Sequence, residues 1–242
     1  MLGIIGGTGL DQLDLIENRK EHTPNTPWGT PSAGLITGTI ENTRIAFLPR
    51  HGHDHSVAPH EINYRANLRA LADAGVDRIV AVAAVGGITE QPEPGNIAIP
   101  DQLIDYTWGR PSTFFEGEGA EVEHIDFTWP YTESVRQSLL DAASKADIPA
   151  TNGGCYAATQ GPRLETAAEI RRLERDGCTL VGMTGMPEAA LARELDIPYA
   201  CLAVVVNPAA GKTDKEISME DIRGHLTTGI TRAAKIIQTL TR

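Results

Sequence analysis

Apolar and polar positions along this chain follow two patterns: short continuous apolar runs, and longer segments with apolar residues three or four apart. The runs predict strands that are buried on both faces, and the longer segments predict amphipathic helices that cover them. The predicted strands are Leu2–Ile5, Leu35–Ile40, Arg44–Leu48, Arg78–Val85, Ile97–Ile99, Cys155–Ala158, Thr179–Met183 and Tyr199–Val206. The predicted helices are Asn63–Ala74, Glu133–Ala146, Thr166–Arg175, Pro187–Leu195 and a last helix whose N-cap is Ser218.

Strands that alternate with helices predict an α/β fold, in which helices flank a central mixed, largely parallel sheet. The length of 242 residues and the 41% apolar content suffice for a substantial core, so we expect a single domain over residues 1–242. One stretch interrupts the alternation, because residues 106–131 are rich in aromatics, glycine and charge but show no period. An insertion of this kind in a compact domain usually serves function or a subunit contact.

The composition argues against several kinds of partner. Twenty-one basic against thirty-two acidic residues give a net charge of −11, which disfavours nucleic acid and anionic membranes. No apolar run approaches the ~20 residues of a membrane span, and the start of the chain lacks the basic segment of a signal peptide, so we expect a cytoplasmic protein. The three cysteines are scattered, which favours buried thiols over disulfides or zinc ligation.

Glycine or polar residues follow the predicted strands at their carboxyl ends, where open α/β sheets bind ligands. Met183–Thr184 and Asn207 end two strands on either side of one helix, and we expect them to project into one crevice. The same position after other strands is occupied by Thr8, Arg50, Gly86 and Glu165. Two structural alternatives remain open: Asn207 with Pro208 begins a turn, and Glu165 caps the helix that follows it.

Two segments carry groups that suit an anion. Gly6-Gly7-Thr8-Gly9 allows backbone N–H groups and a hydroxyl to approach a phosphate, although it lacks the lysine of a Walker loop, and a tight turn is the alternative. The segment RHGHDH at 50–55 places arginine beside histidine directly after a strand, which suits an oxyanion. Its histidines lack the fixed face of a helical metal-binding pair, so phosphate binding is favoured over a surface loop or a metal site.

Four motifs together resemble one known family. GIIGGTG at 3–9, PRHGH at 49–53, GPRLET at 161–166 and MTGMPEAALARE at 183–194 are similar, in order and spacing, to motifs of the purine nucleoside and methylthioadenosine phosphorylases. The resemblance spans the whole chain. It implies an α/β fold with a central mixed sheet, assembly as a homotrimer, and cleavage of a purine nucleoside with inorganic phosphate as co-substrate. It also implies that no metal and no organic cofactor takes part.

The resemblance further implies roles for single residues. Met183 would lie under the ribose, and His124 in the aromatic insertion would reach the neighbouring subunit's site. The methylthioadenosine enzymes carry threonine where this chain has Ala83, so one phosphate-binding hydroxyl is missing. The implied phosphate-binding set is Thr8, Arg50, His51, Thr184, the backbone N–H of Ala84, and His55 as a helper.

The base site and the 5′ site distinguish this chain within the family. Methylthioadenosine phosphorylases resemble one another in a small hydroxyl residue at position 165 and an aspartate at position 207. Glu165 and Asn207 instead resemble the pair found in purine nucleoside phosphorylases. Enzymes that bind a 5′-hydroxyl usually have histidine where Met219 lies, whereas Met219 and Ile222 offer an apolar 5′ pocket like that of the methylthio enzymes.

This combination predicts a pentosyltransferase that converts 5′-methylthioinosine and phosphate to hypoxanthine and 5-methylthioribose 1-phosphate. Phosphate would attack a ribosyl centre of oxocarbenium character, so no carboxylate nucleophile is needed. Glu165 and Asn207 would be both base-binding and catalytic, because they stabilise the purine as it leaves. The alternatives are methylthioadenosine phosphorylase, inosine/guanosine phosphorylase, and a non-catalytic purine or phosphate sensor on the same fold.

Overall fold

The computed structural model describes residues 1–6, 15–214 and 217–242, so Thr8 and most of the glycine loop lie outside the described residues. Every predicted strand and helix is present, with bounds shifted by at most a few residues. The strands are β1 (Leu2–Gly6), β2 (Glu17–His22), β3 (Leu35–Ile40), β4 (Thr43–Pro49), β5 (Arg78–Gly87), β6 (Ile97–Ile99), β7 (Gln102–Asp105), β8 (Ala150–Asn152), β9 (Cys155–Ala158), β10 (Leu180–Gly182) and β11 (Tyr199–Pro208). The helices are α1 (Tyr64–Asp73), α2 (Glu133–Lys145), α3 (Ala167–Arg175), α4 (Gly185–Glu194) and α5 (Met219–Leu240).

The strands form one mixed, mostly parallel sheet with helices on both faces, which confirms the predicted fold class. The strand order is β2-β3-β4-β1-β5-β10-β9-β7, and β11 pairs with β5 and leads on to β6 and β8. Residues 106–131 contain neither helix nor strand, as predicted. None of the described helices is both long and apolar enough to cross a membrane.

The central strand β5 is apolar from Ile79 to Val85 because core clusters cover both of its faces. Ile79 and Ala81 pack in the core cluster that includes α1 and α4, whereas Val80 and Val82 pack in the cluster that includes α2 and α5. The parallel partner β11 alternates between the same two clusters. A strand buried on both faces carries no polar alternation, and this is the pattern from which both strands were predicted.

On one side of β5 the sheet divides, because the start and the end of this strand pair with two different strands. Residues Arg78–Ala81 pair in parallel with β1, whereas Gly86 and Gly87 pair in antiparallel with β10. Between them, the backbone of Val82–Val85 has no strand partner on this side among the described residues, while β11 pairs with it on the other side. The division therefore leaves backbone groups of a central strand open to a ligand.

Three strands, β2, β7 and β8, were not predicted. In β2 the sequence is ENRKEH and all six residues are exposed. Among the described residues it pairs with β3 alone, at the edge of the sheet, where charged side chains are typical because they discourage pairing with other chains. A strand that buries neither face has no apolar period, so hydropathy cannot reveal it.

Candidate active site

A cavity of about 510 Å³ lies against residues 83–86 of β5, where the sheet divides. It brings together nine of the eleven predicted site residues, although their individual roles stay predictions. The nine are Arg50, His51, Ala84, Glu165, Met183, Thr184, Asn207, Met219 and Ile222. Of the other two, Thr8 lies outside the described residues, and His124 is exposed in the 106–131 segment and does not line the cavity.

Ala84 is the one exposed residue inside the otherwise buried stretch Ile79–Gly87. Its exposure follows from the open edge of β5, against which the cavity lies. Residues two apart in a strand direct their backbone groups to the same edge. The carbonyl of Val82 accepts a hydrogen bond from Arg50 Nη1 at 2.9 Å on this edge. The N–H of Ala84 therefore points to the side on which Arg50 lies, as its predicted phosphate contact requires.

Arg50 is 1% exposed and is held by a buried carboxylate that the sequence analysis did not identify. Its Nε donates to Glu188 Oε2 at 2.7 Å, and its Nη2 donates to Oε1 at 2.9 Å. The hydroxyl of Tyr199 donates to the same Oε1 at 2.8 Å. Burial opposes the charge on Arg50, but attraction to Glu188 and the hydrogen bonds outweigh it and raise the pKa of the guanidinium. Arg50 thus stays charged in an apolar setting.

The ion pair with Glu188 leaves two N–H groups of the Arg50 guanidinium available to a ligand. Three of its five N–H groups are used, one each on Nε, Nη1 and Nη2. The other two, on Nη1 and Nη2, make no hydrogen bond to the described residues. Two N–H groups on neighbouring nitrogens match two oxygens of one phosphate. Arg50 can therefore be fixed by Glu188 along one edge and still bind an oxyanion.

His51 lines the cavity beside Arg50 as a neutral ring. Burial, followed by the charge of Arg50, lowers the pKa of His51 to about 4, even though its Nδ1 lies 2.8 Å from the carbonyl oxygen of Val57. A carbonyl only accepts hydrogen bonds, so Nδ1 carries the proton and Nε2 is an acceptor. A phosphate contact through this ring therefore uses a proton that belongs to the phosphate.

The histidines of RHGHDH do not act as one unit. His51 and His55 both line the cavity, with ring centroids 4.5 Å apart. His53 instead pairs through Nε2 with Glu21 Oε1 at 2.8 Å on the surface. Across residues 1–6, 15–214 and 217–242, no group of three or more His, Cys, Asp and Glu residues is placed to hold a metal ion.

Glu165 does not cap the helix that follows it, which corrects that alternative. Thr166 is the N-cap of α3, and it forms a reciprocal capping box with Glu169. Glu165 is half-buried, lines the cavity, and accepts a hydrogen bond at Oε1 from Thr159 Oγ1 at 2.7 Å. Its carboxylate is therefore available to a ligand rather than used by the helix.

Asn207 lies inside β11, which corrects both the expectation that the strand ends at Val206 and the alternative of a turn. The pairing with β5 shifts between Val205 and Asn207, and such a bulge changes the direction of a side chain. Nδ2 of Asn207 donates to the carbonyl of Pro208 at 2.7 Å. Because that carbonyl only accepts, the orientation of the amide is fixed. Oδ1 and the second N–H are left for a ligand.

Apolar side chains complete the lining. Met183 packs closely on Gly161, whose positive φ of 61° favours glycine, and a Cβ at position 161 would also meet the Met183 sulfur. Met219 begins α5 after the N-cap Ser218, whose hydroxyl accepts from the Asp221 N–H at 3.0 Å as predicted. Met219 is 60% exposed and Ile222 is half-buried, so this part of the lining reaches the cavity mouth.

Arg110, in the aperiodic segment, fixes the backbone on two sides of the cavity. It is buried and donates to the carbonyls of Met183 at 2.9 Å, Met186 at 2.6 Å and Gln160 at 2.9 Å. Its guanidinium also lies 5.5 Å from the ring centroid of Tyr64. One side chain thereby connects the β9 exit, which leads to Glu165, with the β10 exit, which carries Met183.

Sequence reasoning missed Glu188, Arg110 and Thr159. Glu188 had a usable signal, because it is the single charged residue in the stretch from Gly185 to Ala192, and an acid in an apolar stretch of helix is buried and needs a cationic partner. Arg110 had none, since a segment without periodicity does not indicate which side chains turn inward. Thr159 had none either, because a threonine after a strand is common on any surface.

Comparisons with known proteins agree with this geometry. A sequence profile described as the phosphorylase superfamily matches residues 1–242. A protein from Xanthomonas campestris pv. campestris named probable S-methyl-5′-thioinosine phosphorylase is 50% identical over 242 residues, covering 100% of this chain and 97% of the relative. The 6-oxopurine nucleoside phosphorylase of Pyrococcus furiosus is 44% identical over 226 residues, covering 91% of this chain and 84% of the relative.

A solved structure of a related phosphorylase shares the fold of this chain. Methylthioadenosine phosphorylase from Schistosoma mansoni in complex with adenine matches with a TM-score of 0.95 and 31% identity, covering 99% of this chain and 90% of that chain. The match of the profile to the full length, together with these identities, confirms the resemblance drawn from the motifs. The chain belongs to the phosphorylase superfamily.

Proposed function

We propose that this protein catalyses phosphorolysis of S-methyl-5′-thioinosine, releasing hypoxanthine and 5-methylthioribose 1-phosphate. The observation that carries the proposal is the convergence of three sets of residues on one cavity. These are the Arg50 and His51 pair, the Glu165 and Asn207 pair, and the apolar side chain of Met219. They supply an oxyanion site, a polar base site and an apolar 5′ site. The names of the relatives at about 50% identity support the same substrate.

The reaction needs positioning more than covalent catalysis. A phosphate oxygen forms a bond to C1′ of the ribose while the bond from C1′ to N9 breaks, and the electron pair moves onto the purine. In this proposal Arg50 and the N–H of Ala84, both at the cavity, hold the phosphate for this attack. Asn207 can accept from a protonated N7 through Oδ1 and donate to O6 through its second N–H, which stabilises the leaving base.

The orientation of Asn207 favours a 6-oxopurine. To accept from the 6-amino group of adenine while donating to N7, the amide must rotate, and rotation would set Oδ1 against the Pro208 carbonyl. Ionised Glu165 only accepts, so it pairs with N1–H of hypoxanthine but opposes the lone pair on N1 of adenine. Both residues therefore select the same base, for separate physical reasons.

A panel of nucleosides incubated with and without inorganic phosphate tests this function. We expect hypoxanthine and a pentose 1-phosphate from methylthioinosine only when phosphate is present, because no protein carboxylate serves as nucleophile. We also propose that no metal takes part, so activity should be unchanged after treatment with a chelator. Base release without phosphate, or activity lost on chelation and restored by zinc, would contradict the mechanism.

The 5′ site gives a second expected result. Met219 and Ile222 can bury a methylthio group but offer no hydrogen bond to a hydroxyl. One or two buried apolar groups discriminate by roughly 10–200-fold, so kcat/KM for methylthioinosine should exceed that for inosine by this factor. Met219→His, which adds a donor, should narrow the ratio. Equal efficiencies in the wild type would show that Met219 takes no part in selecting the 5′ group.

We further propose a cytoplasmic homotrimer in which the 106–131 segment meets a neighbouring subunit. The support lies in large apolar side chains of that segment, because Trp108 is 72% exposed, Val122 75% and Trp129 63%. Such residues are typical of subunit interfaces. In this arrangement the exposed His124 belongs to the site of the neighbouring subunit.

A further inference from the structure

Thr159 contacts the carboxylate that the proposed function assigns to base recognition. It follows β9 directly, and its backbone N–H donates to the carbonyl of Gly182 at 2.8 Å. Its Oγ1 donates to Glu165 Oε1 at 2.7 Å. In the described parts of the chain, this is the one hydrogen bond that the Glu165 carboxylate makes. The hydroxyl is therefore the group that orients Glu165.

Among the described residues, no basic side chain donates a hydrogen bond to the Glu165 carboxylate, although Arg163 attracts it electrostatically. Arg163 is the cation nearest in sequence, and its two terminal nitrogens both donate to Glu169 at 2.8 Å. Arg110 reaches the other side of Thr159, but it donates to backbone carbonyls, to that of Gln160 at 2.9 Å and that of Thr159 at 3.3 Å. Thr159 is thus held through its backbone. Its hydroxyl has two acceptors within reach, and Glu165 Oε1 at 2.7 Å is nearer than the carbonyl of Gly182 at 3.3 Å.

Fixing Glu165 matters because a free glutamate samples several rotamers. Ordering such a side chain costs conformational entropy, and a site that orders it before the ligand arrives avoids that cost on binding. With Oε1 bound to Thr159, Oε2 has no hydrogen-bond partner among the described residues and is open to an N–H donor. An N1–H group of a 6-oxopurine is such a donor, whereas N1 of adenine is an acceptor.

We propose that Thr159 is a positioning residue that holds Glu165 for N1–H of a 6-oxopurine and thereby contributes to base selectivity. The inference rests on the proposed function. If the Glu165 carboxylate is no longer held in one position, it binds the hypoxanthine base less tightly, because N1–H needs that acceptor. The carboxylate can then also turn away from adenine, which relieves the opposition of lone pairs. Selectivity therefore falls for two reasons that act in the same direction.

Thr159→Val, which exchanges the hydroxyl for a methyl group, and Thr159→Ser, which keeps the hydroxyl, form a matched pair. For Thr159→Val we expect KM for methylthioinosine to rise about tenfold, with kcat changed less than about threefold, because the Glu165 side chain must then be ordered when the substrate binds. The efficiency ratio of methylthioinosine to methylthioadenosine should fall by at least ~10-fold, since methylthioadenosine gains nothing from the fixed carboxylate. Thr159→Ser should restore both values to within about threefold of the wild type.

The outcomes separate this inference from the proposed function. A selective wild type together with a Thr159→Val variant that keeps its ratio, or loses both substrates equally, overturns the role of Thr159 alone. The same holds if Thr159→Ser behaves like Thr159→Val. A wild type without phosphate-dependent cleavage of methylthioinosine overturns both. If valine is not accommodated in the fold, Thr159→Ala makes the same comparison.

Discussion

Glu188→Gln should lower the free energy of unfolding by about 3–5 kcal/mol, because it leaves the charge of Arg50 buried without a counter-ion. Glu188 is completely buried, binds Arg50 through both carboxylate oxygens, and accepts from Tyr199. Urea unfolding measures the loss. Glu90→Gln is the matched control, since Glu90 is exposed and its substitution should stay within about 0.5 kcal/mol of the wild type.

A triple variant tests the contribution of the Arg50 network to stability separately from its contribution to phosphate binding. Arg50→Met, Glu188→Leu and Tyr199→Phe together replace the buried polar network by apolar groups, which is often neutral for stability. We expect the triple variant to recover most of the stability lost by Glu188→Gln. Its KM for phosphate should nevertheless be at least ~10-fold above that of the wild type, because the guanidinium fork is gone. An unchanged KM for phosphate would show that Arg50 is structural only.

Asn207→Asp should reduce kcat/KM for methylthioinosine by about 10²–10³-fold, the usual effect of removing one donor to a developing negative charge. Aspartate keeps an acceptor for N7–H or a 6-amino group but loses the donor to O6. It also loses the hydrogen bond to the Pro208 carbonyl. Methylthioadenosine should be affected less, so the preference moves toward adenine while Glu165 still limits it. Steady-state kinetics on both substrates measure the change.

Asn18→Asp is a suitable control, because Asn18 lies on the exposed strand β2 and its amide contacts only Thr39 among the described residues. Its kinetics should match the wild type. Equal losses on both nucleosides in Asn207→Asp would indicate a packing defect and not a change in base recognition.

The sequence was sufficient for the sheet and helices because β5 and β11 are continuous apolar runs and the helices that cover them have clear apolar periods. It was also sufficient to bring site residues from Arg50 to Asn207 to one cavity, since they follow strand ends at a single edge of the sheet. Met219 and Ile222 lie in α5 and were assigned through the family resemblance. The exposed strand β2 was missed because it has no apolar face. The position of Asn207 was misjudged because a bulge inside a strand leaves no mark in hydropathy.

What sequence could not supply was the set of partners for each site residue. Arg50 was assigned to phosphate without its counter-ion, because Glu188 lies 138 positions away and meets Arg50 only through the tertiary fold. The same applies to Arg110, whose carbonyl partners come from both the β9 and β10 exits. These contacts decide which groups are charged, fixed or available, and they follow from packing rather than from local pattern.

Recognition of a 6-oxopurine is tested by the ratio of kcat/KM for methylthioinosine to kcat/KM for methylthioadenosine, measured on the wild-type enzyme with saturating phosphate. We expect a ratio of at least ~100 in favour of methylthioinosine, because adenine opposes Glu165 at N1 and the fixed amide of Asn207. A bridging water at one mismatch is included in this lower bound. A ratio near one, or a preference for methylthioadenosine, would contradict the assignment of Glu165 and Asn207 to base recognition.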